Sequence, residues 1–199
     1  MNDDQTSRDW YSRGYLPHYD AGDRRTQFIT CRLFDSLPQE LLHKIKEEIR
    51  IRKPEKIERE TVVLAEKYLD QGHGECFLRR RDVAEIVRDS IKKFDLERYR
   101  LFAWVIMPNH VHLLLRPLAG ISLEKIVHTF KSYTALQANR AVGRTGPFWM
   151  REPFDRYIRD PEHFDKTVRY IENNPVKARL CLRPKDWEFS SAWQGNLED

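Results

Sequence analysis

The apolar positions of this chain change their period along its length, and each change marks an element. Residues 26–34 (TQFITCRLF) are rich in β-branched and aromatic side chains and predict a first strand. Ser36 then caps an expected helix carrying Leu41, Leu42, Ile45 and Ile49 at helical spacing, which Pro54 breaks. A second helical stripe of Ile57, Thr61, Leu64 and Tyr68 stops at Gly72. Asp82 and Glu85 read as a capping box for a helix with Val83, Ile86, Val87, Ile91 and Phe94 on one face. Residues 99–106 are apolar on both faces, the pattern of a central strand, and Pro108 and Asn109 predict a turn into a hairpin partner. Ser122 predicts the cap of the next helix, with Ile126, Phe130 and Tyr133 on a stripe and Gly143 to Gly146 as its end. Residues 148–158 are expected to hold a short strand, which Pro153 assigns to an edge. Asp160 followed by Pro161 opens a last helix, with Phe164, Val168 and Ile171 inward, and Pro175 predicts its end near Asn174.

The resulting order is strand, helices, paired strands, helix, short strand, helix. It predicts the α+β class: a ferredoxin-like βαββαβ core, an antiparallel sheet with helices on one face, with inserted helices and an N-terminal arm. No repeat or linker divides the chain, so residues 1–199 are expected to form one domain. Within it, residues 1–23 read as a surface arm, 38–95 as a helical insertion and 181–199 as a basic and aromatic tail.

Composition narrows the class of function. A chain of 199 residues with 40% hydrophobic and 33% charged positions reads as a soluble globular protein large enough to bury its own core. No apolar run reaches the roughly 18 residues of a membrane helix, and the first residues lack the pattern of a signal peptide, so a cytoplasmic location is expected. Cys31, Cys76 and Cys181 are odd in number and widely spaced, which argues against a disulfide framework or a zinc site. The formal charge is only +4, but cations bunch at Arg79, Arg80 and Arg81 and again at Lys177, Arg179, Arg183 and Lys185. Such clusters suit a polyanion or an ordinary solvated surface, and five Trp and eight Tyr offer stacking platforms or core filling.

The candidate chemistry begins at residues 107–115 (MPNHVHLLL). In a strand, His110 and His112 point to the same face while Val111, Leu113 and Leu115 point to the other. The pair is a two-nitrogen claw or simply two hydrogen-bonded histidines. In the last helix Tyr170 and Asn174 stand at i and i+4 and share a face flanking the buried stripe. If that helix lies over the histidines, two imidazoles, an amide oxygen and a phenol meet. Mixed nitrogen and oxygen donors suit Mg²⁺ or Mn²⁺, and the phenol is a nucleophile for a phosphodiester. Spacing alone does not choose Tyr170 over Tyr133 or Tyr157.

Residues 107–115 together with 170–178 (YIENNPVKA) resemble the HUH single-tyrosine transposases, specifically the REP-associated tyrosine transposase group. Lys131 and Ser132, residues 146–149 (GPFW), 154–159 (FDRYIR) and 13–17 (RGYLP) are similar too. The likeness runs from about residue 13 to 180 and is weakest over 38–95. It implies a divalent metal, Mg²⁺ or Mn²⁺, at His110, His112 and Asn174. It also implies that Tyr170 is the nucleophile, forming a 5′-phosphotyrosine and releasing a 3′-OH on single-stranded DNA beside a hairpin of a repetitive palindrome. Arg79, Arg80, Arg81, Lys131, Lys177 and Arg179 are the expected DNA contacts, in a monomer or homodimer with no membrane partner. Arg179 departs from the glycine usual after Lys-Ala. The rival readings are a hairpin-binding regulatory or structural protein without cleavage, and a metal-dependent phosphoesterase that activates water and has no use for Tyr170.

Overall fold

The first core strand explains why the others assemble around it. Every residue of Gln27–Arg32 is buried, because this strand has a hydrogen-bonded neighbour on each edge and a layer of side chains on each face. The computed structural model describes residues 10–12, 17–19, 25–38, 40, 43 and 68–195. The expected helices within 36–54 and 57–72 lie almost entirely outside the described residues.

The strands, in chain order, are β1 (Trp10–Ser12), β2 (Pro17–Tyr19), β3 (Gln27–Arg32), β4 (Tyr99–Ile106), β5 (His110–Pro117) and β6 (Phe154–Tyr157). The helices are α1 (Arg81–Lys93), α2 (Leu123–Val142) and α3 (Pro161–Lys177). Strands β1 and β2 pair with each other inside what the sequence presents as an arm without a period. The remaining four form one antiparallel sheet in the order β4-β5-β3-β6. With α1 and α2 as crossovers this is the ferredoxin-like βαββαβ core.

The pleat divides the core in two. Ile29, Cys31, Val111, Leu113 and Leu115 face α1 and α2, which contribute Val83, Val87, Ile91, Ile126, Val127 and Phe130. Phe28, Ala103, Val105 and Leu114 face α3, which contributes Ile171 with Phe164 and Val168 beside it. Helices on one face is thus an accurate description of the two crossovers, while α3, outside the βαββαβ unit, covers the other face.

Several local expectations change. Strand β4 is an edge strand in hydrogen-bond order rather than a central one, although its residues 103–106 are buried on both faces. Its outer edge is closed by the tail: Ile106 N–H donates to the Phe189 carbonyl at 2.8 Å and Ser191 N–H to that of Trp104 at 2.9 Å. Trp187 Nε1–H adds a bond to the Ile106 carbonyl at 3.0 Å. The apolar pattern reports buried faces and is silent on edges. Asp82 is not a cap: Arg80 holds that position, and Asp82 lies in the first turn, where it pairs with Arg80. Ser122 and Asp160 do cap their helices, accepting from Lys125 and His163 N–H.

Helix α3 passes through Pro175 instead of stopping before it. The preference of a pre-proline residue for extended geometry is outweighed by burial of Asn174 and Pro175 and by closure of the last turn. There Arg179 N–H bonds the Val176 carbonyl and Leu180 N–H the Pro175 carbonyl, a Schellman end.

Candidate active site

Antiparallel pairing of β3 with β5 sets Thr30 opposite His112 and Arg32 opposite His110. His110 and His112, two apart on β5, lie on the α3 face together with Phe28 and Thr30, and both are fully buried. Their Nε2 atoms converge to 3.1 Å. Each outer nitrogen has a partner at 2.8 Å, Asn109 Oδ1 for His110 and Thr30 Oγ1 for His112. The Asn109 amide is itself held, because its Nδ2 donates to the His73 carbonyl at 3.0 Å. That carbonyl belongs to a loop pinned to the end of β3: Glu75 N–H donates to Asp35 Oδ2 at 2.9 Å. Gly74, at φ +87°, makes the approach possible, since a Cβ there would stand 2.7 Å from the Asp35 carbonyl oxygen.

Helix α3 brings the other half. The Tyr170 ring lies 5.5 Å from the His112 ring and 5.9 Å, edge-on, from Phe28. One turn on, Asn174 is buried, and neither its Oδ1 nor its Nδ2 has a hydrogen-bond partner among the described residues. It therefore belongs to the buried stripe, where the sequence had placed it at the flank. Lys177 completes the row, its Nζ 5.8 Å from the centre of the Tyr170 ring and 2.5 Å from Asp70 Oδ2.

The electrostatics follow from burial. Desolvation, then the Lys177 charge, hold His110 down at about 3, and His112 lies well below its ordinary 6.5 for the same first reason, with His110, Arg156 and Lys177 adding to it. Both rings are neutral at physiological pH, the state in which imidazole is a ligand.

The donor set fits a hard divalent cation. Two cis ligands about 2.1 Å from an octahedral ion stand about 3.0 Å apart, close to the Nε2 separation. Asn174, one turn beyond Tyr170 on α3, has a buried amide without a hydrogen-bond partner among the described residues and could supply an oxygen donor. No cluster of three or more His, Cys, Asp or Glu stands anywhere among the described residues. The candidate donors are the two imidazoles and the Asn174 amide, and the three cysteines are free.

The competing tyrosines lie elsewhere. Tyr133 is half exposed on α2, and Tyr157 on β6 packs under Arg25. The expected DNA-binding cations are dispersed. Arg80 is paired with Asp82, and Arg81 with Glu85 and Glu188. Lys131 is on the α2 side, its Nζ donating to the Met150 and Arg151 carbonyls at 2.6 Å each. Arg79 and Arg179 are exposed. Sequence reasoning missed Thr30, Asn109, His73 and Asp70. Only Asn109 stood inside a recognised motif, and the other three reach the site through tertiary contacts.

Among the described residues no helix is long and apolar enough to cross a membrane. No curated protein matches the sequence. Among solved structures, a REP-associated tyrosine transposase bound to a REP hairpin is 21% identical, with 90% of this chain and 80% of that chain covered and a TM-score of 0.53. A Deinococcus radiodurans R1 chain described as a transposase is 16% identical, with 82% and 96% covered and a TM-score of 0.33. The first likeness concerns the fold. The family model for IS200-like transposases matches residues 62–174, more than half of the chain and inclusive of both histidines, Tyr170 and Asn174. This protein therefore belongs to the IS200-like family of HUH single-tyrosine transposases.

Proposed function

We propose that this transposase cuts and rejoins single-stranded DNA beside hairpins of repetitive palindromes. Tyr170 is the nucleophile, and Mg²⁺ or Mn²⁺ is held by His110, His112 and Asn174. The observation that carries the reading is the Tyr170 ring, 5.5 Å from His112 and in line along α3 with the unpartnered Asn174 amide. The REP hairpin bound by the structurally similar transposase supports the choice of DNA.

In the cut, the Tyr170 oxygen attacks phosphorus, a bond forms between them, and the bond from phosphorus to the 3′ oxygen breaks. The phenol proton leaves and the departing 3′ oxygen gains one, giving a 5′-phosphotyrosine and a 3′-OH. Because the phosphoester is kept, a 3′-OH can later attack it and restore Tyr170 without ATP. Lys177 Nζ stands over the phenol ring in a cation–π contact, and Asp70 holds that ammonium in place. His110, His112 and Asn174 would bind the cation, which supplies positive charge to a phosphate oxygen. Phe28, packed against both Tyr170 and His112, keeps the tyrosine ring beside the histidines.

The test uses end-labelled, hairpin-bearing single-stranded DNA with Mg²⁺ or Mn²⁺ and a denaturing gel. Wild-type protein is expected to carry label covalently, whereas Tyr170→Phe binds the hairpin but yields neither product nor adduct. Cleavage by Tyr170→Phe would transfer the reading to a water-activating phosphoesterase, and binding without cleavage by wild type to a hairpin-binding protein.

A further inference from the structure

Resting on that reading of the metal site, we infer that Asn109 and Thr30 are positioning residues that decide which nitrogen of each histidine carries its proton. A ligating imidazole is neutral and holds one proton, so both Nε2 atoms can face one cation only if both protons sit on Nδ1. Each Nδ1–H then needs an acceptor, and the two acceptors are different in kind.

Asn109 Oδ1 is a carbonyl oxygen and only accepts. Its amide cannot turn over without losing the bond from Nδ2 to the His73 carbonyl, in the loop that Gly74 and Asp35 pin to β3. His110 is therefore fixed with its proton on Nδ1 and its Nε2 lone pair toward His112.

Thr30 Oγ1 both donates and accepts. Between two neutral rings, His112 Nε2–H can donate across the 3.1 Å gap to His110 Nε2, and the Thr30 hydroxyl then donates to His112 Nδ1. A cation held by both Nε2 atoms would require the His112 proton on Nδ1, with no net proton release and with Thr30 Oγ1 turned to accept it. One histidine is locked and the other is switchable. The metal-free pair thus keeps its buried nitrogens satisfied without forfeiting the ligating form. A hydroxyl at 30 is the part of this device that lies outside every motif in the sequence.

The experiment reads protons first. Long-range ¹H–¹⁵N spectra of histidine-labelled protein are expected to show His110 protonated on Nδ1 and His112 on Nε2, and Mg²⁺ to move only His112 to the Nδ1 form. Mn²⁺ affinity, followed by the electron spin resonance of free Mn²⁺, is expected to fall about 10- to 100-fold in Thr30→Val and to return in Thr30→Ser. His110 protonated on Nε2 in the metal-free protein, or Thr30→Val binding Mn²⁺ like wild type, would overturn the inference. If wild type binds neither cation, the metal in the proposed function is wrong, while the metal-free spectra still decide whether Asn109 locks His110.

Discussion

At the scale of single residues, the site is a set of polar groups buried at a cost that their partners only partly offset. His110 and His112 are taken wholly out of water, and their low affinity for protons couples folding to pH. The unfolded chain binds protons at histidine below about pH 6.5, while the folded protein does not until far lower, so stability is full above that pH and falls as pH drops through the window toward about 3. Each histidine removes roughly 1.4 kcal/mol per pH unit there. The denaturant midpoint of wild type is therefore expected to fall more steeply between pH 6.5 and 4 than that of His110→Gln. Equal slopes would show that the pair is not buried in its neutral form.

At the scale of elements, α3 carries Tyr170, Asn174 and Lys177 on one face, so its end matters. The residue after the helix, Arg179, has φ +58°, the left-handed conformation that glycine adopts without strain. The departure from the family's usual glycine thus leaves the turn in place: both Schellman bonds form, and Leu180 packs against the α3 core. Arginine pays there in backbone strain. Arg179→Gly is expected to stabilise the protein by about 1 kcal/mol, read as a rise of about 2–4 °C in melting temperature. A fall would mean that the arginine side chain contributes more than the strain removes. Strand β4 makes the complementary point, since an edge bonded by residues 189–191 is not open to another strand.

At the scale of the whole molecule, the sheet separates the His110/His112 face from the α1 and α2 face, and the surface cations differ in whether a carboxylate already holds them. A cation already paired with carboxylates gains little from a phosphate, because one partner replaces another. Arg81, held by Glu85 and Glu188, is therefore expected to leave the salt dependence of hairpin binding nearly unchanged when replaced by alanine. Arg79, which makes no ion pair among the described residues, is expected to lower the slope of log K against log salt by about 1 in Arg79→Ala. Equal effects of the two replacements would show that the ion pairs of Arg81 open on DNA.

The amino-acid sequence determined the order of elements, the shared face of His110 and His112 and the i, i+4 relation of Tyr170 and Asn174, because these follow from the two-residue period of a strand and the 3.6-residue period of a helix. Its motifs, too, resemble those of the family whose model matches the chain. Tertiary structure decided what no local period encodes. The packing of α3 on the face opposite the crossovers sets Tyr170, rather than Tyr133 or Tyr157, beside the imidazoles. The register of β3 against β5 brings Thr30 to His112 across 82 positions. Closure of the last turn carries the helix through Pro175, where the local preference is to stop. Each of these is a sum of contacts between distant segments, and such sums override the smaller preferences of neighbours in the chain.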